Sequence, residues 1–156
     1  MSRSQEVTKQ QAHPLDGSWV LWFHPVDNED WSLNGYEQII EIDSIEEFWL
    51  TFNKIRDFSF GMFFLMRKGC LPIWETYDGN VHFVKYRSNK KFYYQQWLNV
   101  CKASVGETIT DDPKTIIGVS ISPKMKTIII RIWMTNTSMP YFLPDLNIKP
   151  EACLFE

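Results

Sequence analysis

A chain of 156 residues with 19 acidic and 16 basic side chains, net charge −3, and 15% aromatic residues suits one domain that buries about two thirds of its unfolded surface. Its acidic balance excludes a protein that holds long polyanions along their backbone, since such surfaces are basic. No apolar run approaches the ~20 residues of a bilayer span, no apolar signal region opens the chain, and Cys70, Cys101 and Cys153 show no C-x-x-C spacing. Sparse, odd cysteines read as reduced thiols of a cytoplasmic or nuclear protein.

Residues 1–12 are polar, with Val7 as the only aliphatic side chain larger than Ala, and are expected to form a disordered tail ahead of a single domain over 13–156. Ser18 to His24 predicts a first strand: Trp19, Leu21 and Phe23 alternate with Val20 and Trp22, so both faces are covered. A polar loop carrying Trp31 follows, then a second strand over Tyr36–Ile42. Ser44-Ile45-Glu46-Glu47 is a capping box, and Ile45, Phe48, Trp49, Phe52 and Ile55 keep helical spacing to about Arg56.

Phe58–Met66 predicts a third strand. The Asp78-Gly79 turn then joins the segment around Trp74 to Val81–Tyr86, a hairpin signal. Ser88 or Asn89 is a candidate cap for a second helix to about Ser104, with Tyr93, Trp97, Val100 and Cys101 on one side. Strands over Thr115–Ser122 and Thr127–Thr135 flank the basic turn Pro123-Lys124-Met125-Lys126. The tail from Met139 contains three prolines and one short candidate strand, Ala152–Phe155. The sum is α+β: one curved, mainly antiparallel sheet with helices on one face.

Chemistry concentrates in Gly69-Cys70-Leu71-Pro72-Ile73-Trp74-Glu75. Pro72 cannot donate to a ladder, so the segment is an edge, a bulge or a rim. An indole beside a carboxylate suits guanine: the ring stacks on the base while the carboxylate accepts from its N–H groups. Trp31, in a polar loop where a core tryptophan is least expected, offers a second plate. Taken alone, these residues favour a core tryptophan and a solvated turn glutamate.

Jointly, several motifs resemble the cap-binding translation initiation factor 4E family. They are His13-Pro14-Leu15 before Trp19-Val20-Leu21-Trp22-Phe23; Ile45-Glu46-Glu47-Phe48-Trp49; the Gly69-to-Glu75 segment; Trp97-Leu98 before Val105-Gly106-Glu107; and Ile132-Trp133-Met134-Thr135. The resemblance spans about residues 13 to 135 and reverses the odds on Trp31, Trp74 and Glu75. It implies a single curved sheet with helices packed on the convex face and, on the concave face, a ligand slot that binds the 7-methylguanosine cap at the 5′ end of messenger RNA. Trp31 and Trp74 would be the plates, Glu75 the acceptor for the base N1 and N2 hydrogens, and Trp133 the neighbour of the N7-methyl group. A second implied surface binds an initiation scaffold protein of the 4G type, or inhibitory 4E-binding proteins, through His13, Pro14, Leu15, Ile45, Trp49, Leu98 and Asn99.

The chain departs from the family where the cap phosphates bind. A gap-free alignment on Trp133 puts Lys124 at one basic position and Ile129 at another, leaving Lys126 or Arg131 as substitutes. Asn99 and Lys102 also depart on the partner surface, and the short tail leaves no room for the family's C-terminal helix. The implied protein is a monomeric, non-catalytic initiation factor needing no cofactor, metal or membrane. The alternative is a cap-binding repressor or competitor that sequesters cap or scaffold. An enzyme acting on capped RNA is the weaker rival, because His13, His24 and His82 have no ligand spacing with one another or with a cysteine.

Overall fold

Alternation of apolar side chains on two faces decides the architecture. The computed structural model describes residues 13–55, 61–77, 80–88, 91, 93–109, 112–124 and 127–135. The expected leading tail, the C-terminal candidate strand, Arg56, the Asp78-Gly79 turn, Asn89, Met125 and Lys126 lie outside the described residues. The strands are β1 (Pro14–Pro25), β2 (Glu37–Ser44), β3 (Gly61–Arg67), β4 (His82–Ser88), β5 (Ile116–Pro123) and β6 (Ile128–Met134). The helices are α1 (Ile45–Lys54) and α2 (Tyr93–Val105). One open, curved sheet runs β2-β1-β3-β5-β6-β4, and every neighbouring pair is antiparallel. The α+β reading holds.

Register explains the two faces. Leu21 pairs with Leu65, Leu65 with Val119, Val119 with Ile132 and Ile132 with Val84. That row lies against Phe48 and Phe52 of α1 and Trp97, Val100 and Cys101 of α2, all in one buried cluster. Each such side chain contributes roughly 1.5–3 kcal/mol by leaving water. The alternate row, Val20, Met66, Trp133 and Phe83, belongs to a second cluster on the opposite face, where no helix packs among the described residues.

Local chemistry sets α1 as expected. Ser44 Oγ accepts the Glu47 N–H at 3.2 Å, and the Ser44 hydroxyl meets Glu47 Oε1 at 3.2 Å, so the returning contact runs through the hydroxyl. Phe48, Thr51 and Phe52 face inward while Ile45 and Trp49 stay exposed.

Two local expectations are corrected. The segment around Trp74 does not pair with β4; it is a short 3-10 turn, Trp74–Tyr77. Without a donor at Pro72, the chain turns: the Thr76 N–H bonds the Ile73 carbonyl at 3.2 Å and the Asn80 N–H bonds the Tyr77 carbonyl at 2.9 Å. β4 passes to the far edge and pairs with β6. Ser88 does not cap α2, which begins at Tyr93; it closes β4, its buried hydroxyl donating to Gln96 Oε1.

Candidate functional site

Exposure divides the tryptophans by task. Trp19, Trp22, Trp97 and Trp133 are buried, whereas Trp31, Trp49 and Trp74 are 51%, 38% and 57% exposed. Burying an indole is among the larger gains a fold can make. Leaving three uncovered therefore needs a reason.

Two of them line one cleft of about 860 Å³ on the face opposite the helices, shared by Trp31, Trp74, Glu75 and Trp133. Its floor is a chain of edge-on rings. Tyr36 meets Phe64 at 5.5 Å, Phe64 meets Trp133 at 6.1 Å, and Phe83 meets Trp133 at 4.9 Å between centroids. Trp133 is fixed by its indole N–H, which donates to Ser120 Oγ at 3.1 Å.

Trp31 is held by a loop built for the purpose. Asp30 Oδ1 accepts the Ser32 N–H at 2.9 Å and the Ser32 hydroxyl at 2.5 Å, and Asn28 Oδ1 accepts the Asp30 N–H at 2.8 Å. The Ser32 hydroxyl and N–H hold the Asp30 carboxyl below the usual carboxylate range. Beneath the indole lies His24, fully buried, its ring stacked on Trp31 with centroids 3.8 Å apart and planes 3° from parallel. Gly35 permits this closeness. A Cβ there would sit 1.7 Å from the Asp30 carbonyl oxygen and 3.3 Å from His24 Nε2.

Trp74 and Glu75 ride the 3-10 turn, and buried Pro72 shares the cleft lining with them. Among the described residues, the Glu75 carboxylate makes no hydrogen bond or ion pair. Burial, then the charge of Glu75, pushes the Tyr36 phenol up to about 12. A cleft lined by two exposed indoles, a carboxylate and buried aromatic rings has the means to hold one planar, electron-poor, hydrogen-bond-donating ring.

The cations fall beside it. Across the cleft face the register runs Trp22, Phe64, Ser120, Arg131, Lys85. Arg131 lines the cleft, Lys124 is exposed at the far end of β5, and Lys126 is outside the described residues. Sequence reasoning missed Lys85, which faces Arg131 across β4 and β6, and Arg87, one step along the same face. Their two-residue spacing was visible; pairing β4 with the wrong neighbour hid its meaning.

The other face carries a groove of about 430 Å³, lined by Pro14, Leu15, Ile45 and Trp49 with Lys102 and Glu107. The His13 N–H and Nδ1 meet the Glu46 carboxylate at 2.7 and 2.8 Å, and the Ile45 N–H bonds the His13 carbonyl at 2.9 Å. Those contacts, the backbone one first, hold Glu46 below the usual carboxylate range. Leu98 and Asn99 are largely buried and do not line the groove; Asn99 Oδ1 accepts from Gln95 Nε2 at 3.0 Å. Among the described residues, no group of three or more His, Cys, Asp or Glu side chains could hold a metal ion, and no helix is long and apolar enough to cross a membrane.

The family model described as "Eukaryotic initiation factor 4E" matches residues 14–146. Eukaryotic translation initiation factor 4E-2 of Schizosaccharomyces pombe is 27% identical over 89% of this chain and 60% of its own, and the Homo sapiens factor 4E is 26% identical over 85% and 67%. This chain thus spans about 60% to two thirds of the length of those two relatives. Ascaris suum eIF4E-3, solved with an m7G cap, superposes with a TM-score of 0.70 at 24% identity, covering 87% of this chain and 78% of that one. Caenorhabditis elegans eIF4E-3, in a complex with the 4E-binding protein Mextli and cap analog, gives 0.72 at 22% identity, covering 80% and 75%. The chain belongs to the eukaryotic initiation factor 4E family.

Proposed function

We propose that this chain binds the 7-methylguanosine cap of messenger RNA, stacking the base between Trp31 and Trp74, and brings that RNA to a scaffold protein docked at the His13–Trp49 groove. One observation carries the reading: two half-exposed indoles line one cleft together with a carboxylate that has no hydrogen bond or ion pair among the described residues. Methylation at N7 makes the base cationic. A cation between two π-faces gains roughly 1–2 kcal/mol beyond ordinary stacking when desolvated. Discrimination from plain guanine then comes from charge rather than size.

In this reading Glu75 accepts from the base N1 and N2 hydrogens and Trp133 borders the methyl group. Arg131 and Lys124 approach the phosphates, with Lys126 as a further candidate, and Lys85 stands across from Arg131. Family membership supports the reading, as do the cap ligands of two relatives of the same fold. At the second groove, exposed Trp49 over buried Phe48 offers an apolar grip to an amphipathic helix.

Calorimetric titration of 7-methyl-GTP into the wild type, Trp31→Ala and Trp74→Ala tests the sandwich. Each variant should lose most affinity while keeping its fold, since neither indole is buried; unchanged affinity in both would refute it. A scaffold-derived peptide tests the groove, and a chain that binds cap but no such peptide would be a repressor instead.

A further inference from the structure

The contact least expected from the sequence lies behind the first plate. His24 presents Nδ1 to the Pro25 carbonyl oxygen and Nε2 to the Asp30 carbonyl oxygen, both at 2.9 Å. Two acceptors on opposite sides of one imidazole can both be satisfied only when both nitrogens carry a proton, because the neutral ring has a single N–H. The two carbonyls bracket the loop that ends in Trp31, and the same ring stacks under the indole. We propose that His24, as the imidazolium, is the positioning residue that orients Trp31 for the base; this rests on the reading of Trp31 as a base plate.

The charged form fits its surroundings. The Asp30 carboxylate on the same loop feels the imidazole's charge. Tyr36 meets the ring edge-on at 4.8 Å and stays a neutral phenol. From β3 the residue across from His24 is Met62, which carries no charge. On β2, Glu37 stands across from the adjacent Phe23 and adds a further negative group, while Asp27 and Glu29 lie exposed in the loop. A cation behind the indole also repels a cationic base on its far side. Local carboxylates and the two carbonyls offset that repulsion, whereas losing a proton turns a lone pair against a carbonyl oxygen at 2.9 Å. Orientation therefore outweighs repulsion.

The test is the affinity of the full chain for 7-methyl-GTP, in the wild type and in His24→Phe, at about pH 5.5 and about pH 8. Phenylalanine keeps the stack and loses both polar contacts. The ligand's own titrations cancel in the ratio of the two proteins. That ratio should favour the wild type about fivefold more at the lower pH; an equal ratio, or one that grows with pH, overturns the proposal. Trp31→Ala separates the two ideas. If it binds as tightly as wild type, the plate reading fails. If it weakens binding while the ratio stays flat, only the role of His24 fails. Imidazole nitrogen chemical shifts of the wild type, followed against pH with and without ligand, need no variant to fold. In the complex at the lower pH both ring nitrogens should carry a proton; a single protonated nitrogen there refutes the proposal.

Discussion

Ser120 and Trp133 form a fixed pair: the hydroxyl oxygen of one accepts the indole N–H of the other at 3.1 Å, both side chains buried and adjacent on the cleft floor. Ser120→Ala strands a buried donor. The cost should be ~1–3 kcal/mol of unfolding free energy, read as a lower midpoint in chemical denaturation. A midpoint identical to wild type would mean that the indole finds another acceptor.

Glu75→Ala should behave oppositely. The carboxylate makes no hydrogen bond among the described residues and is solvent-exposed, so thermal stability should hardly move. Affinity for 7-methyl-GTP should fall by ~1–3 kcal/mol, the cost of unpaired base donors in a desolvated slot. Unfolding of the variant would make Glu75 structural.

Trp49 lies in a different groove, on the helix side of the sheet. Trp49→Ala should abolish binding of a scaffold-type peptide and leave cap-analogue affinity within about twofold, as expected of sites without shared partners. Joint loss of both would show that the two grooves are coupled.

Alkaline stability follows from three tyrosines. Tyr36, Tyr77 and Tyr86 are each pushed up to about 12, burial being the first cause in every case. The folded chain keeps phenol protons that the unfolded chain releases above about 10. Stability is therefore full below about 10 and falls as pH rises toward about 12. Denaturation midpoints at pH 9 and 11 should differ in that direction. Tyr86, whose hydroxyl has no partner among the described residues, should contribute: Tyr86→Phe should be neutral or stabilising at pH 7 and lose less at pH 11.

Much of this was legible beforehand, for identifiable reasons. Apolar runs over Trp19–Phe23 and Ile128–Ile130 located strands because each face of the sheet carries a buried cluster. The Ser44–Glu47 box located a helix because capping is local chemistry. What failed was long-range. Nothing near Val81 in the chain says that its strand pairs with β6 at the sheet's far edge, and hence that Lys85 stands beside Arg131. His24 was equally opaque, being read only as a histidine without metal partners. Its two carbonyl contacts depend on a loop path that Gly35 permits and no spacing rule encodes. Leu98 and Asn99, expected on the partner surface, lie buried because α2 turns that side inward.

The most direct test of the central claim compares 7-methyl-GTP with GTP by quenching of tryptophan fluorescence, with the phosphates held constant so that only the charge of the base differs. The sandwich of Trp31 and Trp74 predicts at least tenfold tighter binding of the methylated nucleotide, ~1.4 kcal/mol. Equal affinities would contradict it.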